Sequence, residues 1–235
     1  TPLRLKKLYV LGALLIENYH EQNKAKAAAM RSKTDSKRID AQAALSGLLA
    51  EDDSVSVIDS KMIDGAWRGA EACHFYMLAQ QQLYQGNVDA AMKTTLHLTD
   101  YDDILDPLEI FSLLALASCA ARQFSVCSRA FIKLESVEGM AQAERDAFQK
   151  LALDIFTKNS PKDNRTGKAE CTGCETLIPD YCQVCPSCDT KFPTCIVTGR
   201  PLMDYQFWLC PVCKHRAYEQ EIQSHKFCPL CHVPI

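Results

Sequence analysis

Cysteine is scarce in most of this 235-residue chain: before Cys171 only Cys73, Cys119 and Cys127 appear, out of 13 in all. Disulfide-stapled secreted domains are small and distribute their cysteines along the chain, so this placement excludes that class. Long apolar runs are missing too. The longest, near Leu8–Ile16 and Leu113–Ala121, fall well short of the ~20 residues a membrane-spanning helix requires. No signal-peptide pattern is present, because charged and apolar residues at the start interleave as in an amphipathic helix. Excess positive charge is absent as well, with 26 Lys and Arg against 29 Asp and Glu, a formal net charge of −3. Two four-cysteine zinc sites would set eight thiolates against four metal charges, taking the sum to about −7. Such a balance leaves no electrostatic footprint for nucleic acid. Neither H-E-x-x-H nor H-x-E occurs, and there is no phosphate-binding glycine loop, so those catalytic chemistries have no residues to carry them. The chain opens on Thr1 rather than Met, which points to a fragment of a longer protein.

What is present begins with helix signals. Thr1-Pro2 offers a hydroxyl at the N-cap and a proline at the first helical position. Leu5, Leu8, Tyr9, Ala13, Ile16 and Tyr19 recur at helical spacing, predicting a first solenoid helix over 1–30 with Arg4, Lys6, Lys7 and Glu17 outward. Residues 31–64 lose apolar periodicity and read as a flexible polar insertion, with a short helix possible within Ile39–Leu49. Its basic part (Lys24, Lys26, Arg31, Lys33, Lys37, Arg38) is followed at once by an acidic part (Glu51, Asp52, Asp53, Asp59), as in a solvated loop.

Helical hairpins are expected over 65–160. Trp67, Ala70, Phe75, Leu78, Ala79 and Leu83 form one stripe, ended by Gly86-Asn87. Val88–Leu96, a helix opened by Asp106-Pro107, a fourth around Val126–Leu134 and a fifth over Glu144–Phe156 follow. Two hairpins thus succeed each other at a spacing of about 38 residues, near the ~34-residue tetratricopeptide (TPR) period. Ala70, Ala79 and Ala90-Ala91 suit the close helix contacts of such repeats, although the strict consensus is absent. Trp67 is read as internal packing, and Cys73-His74 as part of a helical stripe rather than a nucleophile pair. Pro161 ends this region, and Asn159–Glu170 is a polar linker.

Ten cysteines fall between Cys171 and Cys231. Eight form C-x2-C pairs: Cys171/Cys174, Cys185/Cys188, Cys210/Cys213 and Cys228/Cys231. Two intervening residues let both sulfurs of a tight turn reach one tetrahedral zinc. Three pairs read Cys-Pro-x-Cys, where proline presets the turn. Two Zn2+ ions are implied. Sequential pairing gives one site of Cys171, Cys174, Cys185 and Cys188 and another of Cys210, Cys213, Cys228 and Cys231. A RING-like cross-brace would interleave the pairs. The alternation Tyr205, Phe207, Leu209 against Gln206, Trp208 predicts a strand entering the Cys210 turn, with Arg216–Glu221 as its partner, which favours sequential ribbons. Cys182 and Cys195 are surplus and stand as possible extra ligands. His215, His225 and His232 lie beside ligand sets that are already full. Four-thiolate sites are closed to substrate, so both metals read as structural. The fold class is therefore mainly α, a TPR-like solenoid fragment followed by a zinc-ribbon module over 161–235.

The block Ala66-Trp67-Arg68-Gly69-Ala70-Glu71-Ala72-Cys73-His74-Phe75, with Leu78-Ala79-Gln80 and Gln82-Leu83-Tyr84, resembles the carboxy-terminal solenoid of an intraflagellar transport complex A subunit. Ser160–Arg165 and Pro193-Thr194-Cys195-Ile196-Val197-Thr198-Gly199, leading into Tyr205–Trp208, carry the same resemblance. It implies a longer protein with WD-repeat propellers ahead of a solenoid, and a non-enzymatic scaffold role in retrograde ciliary transport and in entry of membrane proteins into cilia. The implied partners are other complex A subunits, among them a second WD-repeat subunit and a small peripheral one. The implied locations are cytoplasm, cilium and basal body. Tyr205, Trp208 and Phe227 are the candidate interface residues, because aromatics dominate interface energetics. The competing readings are a RING-like ubiquitin ligase and a zinc-ribbon nucleic-acid binder.

Overall fold

No proline stands between Pro2 and Pro107, and two long helices occupy most of that interval. The computed structural model describes residues 1–31, 41–162 and 167–235, with side chains described outside 27–60. Helix α1 spans Pro2–Arg31 and α2 spans Ala41–Tyr84. The chain divides into two compact units, Leu3–Glu71 and Ala72–Ile235.

In the first unit, two expectations are corrected. Residues 41–64 are helical, not a flexible insertion; Lys33, Lys37 and Arg38 lie outside the described residues. The segment from Ala41 to Ala50 is rich in Ala and Leu, which outweighs about 1 kcal/mol for Gly47 and tenths of a kcal/mol for each scattered Ser and Asp. Loss of apolar periodicity there is not loss of the helix. The second correction is the face of α1. Lys6 is 3% exposed and Val10 and Ala13 are buried, whereas Leu5 and Tyr19 are exposed and Leu8 is 64% exposed. Leucine recurs on several sides of α1, so spacing alone does not choose a face. Glu17 is not simply outward either: its Oε1 accepts the indole N–H of Trp67 at 3.0 Å. Trp67 is buried, as internal packing requires. Gly69 permits the close approach of α2 to Tyr9, since a Cβ there would lie 2.5 Å from the ring.

The second unit starts with the end of α2 and continues through α3 (Val88–Leu98), a 3₁₀ turn (Thr99–Tyr101), α4 (Pro107–Ala120), α5 (Phe124–Glu135) and α6 (Gln142–Lys158). Gly86 closes α2 with φ +78°, a left-handed turn that glycine adopts without steric cost. Asp106 caps α4, its carboxylate accepting the Leu108 N–H at 2.9 Å, with Pro107 at the first position. The helical core gathers Met92 from α3, Phe111 and Leu114 from α4, and Val126, Phe131 and Leu134 from α5. Ala79, Ala91 and Ala117 are fully buried where helices approach closely. Helix α6 closes the layer with Phe156 edge-on to Phe131, centroids 6.0 Å apart. Cys73 and Cys127 are buried and Cys119 is half-buried; burial pushes the Cys127 thiol up to about 11, the state of an inert packing residue.

Beyond the linker lie two small antiparallel hairpins. Strands β1 (Lys168–Glu170) and β2 (Leu177–Pro179) pair as Ala169 opposite Ile178. Strands β3 (Phe207–Leu209) and β4 (Arg216–Tyr218) pair as Trp208 opposite Ala217, and the short helix α7 (Glu219–Ile222) follows. The second hairpin lies where the alternation places it. The first was not predicted, because three-residue strands have no period to detect.

Lys93 joins the helices to the cysteine-rich region. It is 7% exposed, and its ammonium meets Asp180 at 2.7 Å and Asp89 at 2.8 Å. Burial opposes its charge, yet the Asp180 and Asp89 carboxylates together hold its pKa above the ordinary lysine value. Asp180→Asn should therefore cost about 1–3 kcal/mol in urea unfolding, since Asp89 still neutralises part of the buried charge.

Candidate metal centres

Each cysteine cluster is built from two copies of one tight turn. The first cysteine donates its N–H to the carbonyl five residues on, and the residue after the second cysteine donates back to the first cysteine's carbonyl. The pairs are Cys171–Thr176 at 3.0 Å with Glu175–Cys171 at 2.8 Å, and Cys185–Thr190 at 2.9 Å with Asp189–Cys185 at 3.0 Å. The other two are Cys210–His215 at 2.9 Å with Lys214–Cys210 at 3.1 Å, and Cys228–Val233 at 2.8 Å with His232–Cys228 at 2.9 Å. Closing such a turn takes a left-handed residue, and Glu175, Asp189, Lys214 and His232 have φ of 58°, 56°, 58° and 62°. Backbone N–H groups point at the sulfurs: Gly173 donates to Cys171 Sγ at 3.3 Å and Ser187 to Cys185 Sγ at 3.4 Å. The sequence folds this way because β1–β2 and β3–β4 each enter and leave a turn, bringing its cysteines to the hairpin tip.

The sulfurs group sequentially. Cys171, Cys174, Cys185 and Cys188 come together, as do Cys210, Cys213, Cys228 and Cys231, with all Sγ atoms of a cluster within 4.8 Å of one another. Cys171 and Cys188 are 3.6 Å apart, Cys174 and Cys185 3.7 Å, Cys210 and Cys231 3.6 Å, and Cys213 and Cys228 3.8 Å. A tetrahedral zinc with bonds of ~2.3 Å sets its sulfurs about 3.8 Å apart. The donor set and spacing fit a closed four-thiolate ion, with no coordination position left for a substrate.

The two clusters differ in their surroundings. All four cysteines of the second are buried, whereas Cys174 and Cys188 of the first are exposed. Contacts with the Thr176 hydroxyl and N–H lower the Cys174 thiol, and those with Thr190 lower Cys188. In the second cluster the hydrogen bonds to Cys228 and Cys231 push Cys213 far up, while the thiols of Cys213 and Cys228 pull Cys231 down to about 2. Four buried sulfurs cannot all ionise beside one another without a cation among them. A chelator such as EDTA should accordingly strip the first cluster before the second, about tenfold faster given equal affinity. Absorbance of a zinc indicator with time checks this.

The remaining candidates are placed plainly. Neither Cys182, half-buried, nor Cys195, buried, joins a cluster among the described residues. His215 turns its Nδ1 to the Cys213 carbonyl at 2.7 Å, beside the ligands and not among them; His225 and His232 are likewise outside both clusters. Tyr205 is 76% exposed, Phe227 is exposed and Trp208 half-buried. The Tyr205 hydroxyl donates to the Thr172 carbonyl at 2.6 Å, tying the approach to β3 to the first cluster. His74 is buried as expected of a helical stripe, but its Nε2 lies 2.6 Å from the Ile196 carbonyl, a contact spacing does not predict.

The family model described as "IFT121-like, TPR repeats" matches residues 64–163, and "IFT121, second zinc finger domain" matches residues 193–235. Together they cover the helical hairpins and the second cluster. The chain belongs to the IFT121-like family. Over the whole chain this IFT121-like sequence is 51% identical to WD repeat-containing protein 35 of Homo sapiens and 53% identical to that of Mus musculus, in each case across 18% of the relative's length. It is 27% identical over 108 residues, 42% of the chain, to WD repeat-containing protein dyf-2 of Caenorhabditis elegans, across 8% of that protein. The TPR-like helices and a cysteine-rich region with two four-cysteine clusters are thus the architecture of an IFT121-like chain. No helix among the described residues is long and apolar enough to cross a membrane.

Proposed function

We propose that this chain is a non-enzymatic scaffold segment of an intraflagellar transport complex A subunit. The single observation that carries the reading is its similarity, over its full length, to WD repeat-containing protein 35. Two structural Zn2+ ions, one in each four-cysteine cluster, hold the cysteine-rich module, and the chemistry they supply is cross-linking of turns. Closed tetrathiolate sites support a structural role and offer no site for hydrolysis. Acting with the other subunits of complex A, including a second WD-repeat subunit and a small peripheral one, the segment serves retrograde ciliary transport and entry of membrane proteins into cilia. Its places of action are the cytoplasm, the cilium and the basal body. Tyr205, Trp208 and Phe227 are the proposed contact residues, two exposed and one half-buried, since aromatics contribute disproportionately to interfaces.

The test is co-purification from ciliated cells. The full-length protein carrying this segment should recover complex A subunits, and Cys210→Ser with Cys213→Ser should reduce that recovery. Unchanged recovery would leave the module as a terminal cap. Chelator-sensitive ubiquitin-chain formation by the purified chain would overturn the non-enzymatic reading in favour of a RING-like ligase.

A further inference from the structure

A fifth copy of the metal-binding turn lies between the two clusters, at Cys195–Gly199. The Cys195 N–H donates to the Arg200 carbonyl at 2.9 Å, and the Gly199 N–H donates back to the Cys195 carbonyl at 2.8 Å. Gly199 closes the turn with φ +69°, the left-handed position held elsewhere by Glu175, Asp189, Lys214 and His232. The bridge of Thr194 with Pro201 flanks it as Val184 with Lys191 and Phe227 with Pro234 flank the turns at Cys185 and Cys228. Where the second sulfur would stand there is Thr198, and its hydroxyl accepts the Arg200 N–H at 3.4 Å. This is the bond that a second cysteine accepts from the residue two further on, as Cys174 does from Thr176 and Cys231 from Val233.

With one sulfur this turn makes no four-cysteine cluster, and its polar groups are engaged on both sides. Towards the helices, the Ile196 carbonyl meets His74 Nε2 at 2.6 Å, and the Thr198 carbonyl accepts from Gln82 Nε2 at 2.9 Å and lies 3.3 Å from the Thr94 hydroxyl. Thr94 donates to Gln82 Oε1 at 2.7 Å, so α2 and α3 hold the turn jointly. The approach leaves no space: a Cβ on Gly199 would sit 1.9 Å from Thr94 Oγ1. Towards the second cluster, the Ile196 N–H donates to the Arg216 carbonyl at 3.0 Å and the Tyr218 N–H to Cys195 Sγ at 3.4 Å. Arg200 reinforces that side, stacking on Tyr218 at 5.2 Å and pairing with Glu221 at 3.2 Å.

We propose that the Cys195–Gly199 turn is a metal-free knuckle that fastens the second cluster to α2 and α3, so that metal loading of that cluster is felt in the helices. The proposal rests on the zinc reading above. Strand β4 emerges from the Cys210–Cys213 turn, so a hairpin released by metal loss withdraws two of the supports of the turn. His74, Gln82 and Thr94 are all buried and would then lose their polar contacts with the turn. Coupling of this kind is reciprocal: changes on the helices must alter metal retention.

The experiment uses the whole chain and reads zinc per chain together with amide hydrogen exchange over 72–98. Cys228→Ser should lose one zinc and raise exchange over 72–98 about tenfold or more, a local opening short of global unfolding. Gly199→Val should keep both zincs yet show the same faster exchange. Because that variant risks misfolding, Gln82→Leu gives the reciprocal arm, and it should speed release of the second zinc to a chelator about fivefold or more, the lower end of the usual range of coupling. A chain that never holds metal at the second cluster overturns both the zinc reading and the coupling. A chain with two zincs whose Cys228→Ser form exchanges over 72–98 as the parent does overturns the coupling alone, as does Gln82→Leu with unchanged release.

Discussion

Replacing Cys210 and Cys213 by Ser should halve the zinc content and unfold the β3–β4 hairpin. The strands are three residues each and their interior is small, with Ala217, Ile222 and Leu230 as the buried apolar side chains near the cluster. A region of that size has little apolar area to set against chain entropy. A structural zinc contributes ~10–16 kcal/mol of apparent binding free energy, comparable with the ~5–15 kcal/mol stability of a whole domain. Its loss cannot be offset locally. Trp208, half-buried and paired with Ala217 across the hairpin, reports the change. Its emission should shift to the red, and metal analysis should find one zinc for the two clusters. An unshifted emission with one zinc lost would mean the hairpin folds without its metal.

Leu134→Ala should destabilise the helical region by ~2–5 kcal/mol, the range for truncating a leucine in a packed core. Leu134 is fully buried on α5, among Met92, Phe111 and Val126. Ile132, two residues earlier on the same helix, is 62% exposed, and Ile132→Ala should change stability by no more than ~0.5 kcal/mol. The pair separates the two faces of α5 by a measurement that helix propensity cannot imitate, since both substitutions install the same residue. A larger loss from Ile132→Ala than from Leu134→Ala in denaturant unfolding would place α5 the wrong way round.

These two expectations also mark where sequence reading succeeds. The cysteine spacing is a local rule: two residues between sulfurs make a turn, and the alternation at Tyr205–Leu209 makes a strand that enters it. Helices α3 and α5 have one apolar stripe each, and a stripe chooses a face. Helix α1 has leucines on several sides, so its buried face at Lys6, Val10 and Ala13 is decided by packing and not by period. Residues 41–64 show the converse, a helix without a stripe. The Cys195 turn was legible only in part. Cys195-x2-Thr198 followed by Gly199 matches the other turns in backbone register, but a search for paired sulfurs passes over it. The contacts of His74, Gln82 and Lys93 with this region span 122, 116 and 87 residues, and no local pattern encodes partners so distant in sequence.

The four residues that close the sulfur-bearing turns are fixed in backbone angle and otherwise free in chemistry. At the first cluster they are Glu175 and Asp189; at the second, Lys214 and His232. A four-thiolate zinc carries a charge of −2, so the first centre with its two carboxylates sums to about −4, and the second, with one ammonium and a neutral imidazole, to about −1. A basic segment approaching the loaded module therefore meets a deep potential well at one centre and a shallow one at the other, over a reach of ~10 Å at 0.1 M salt.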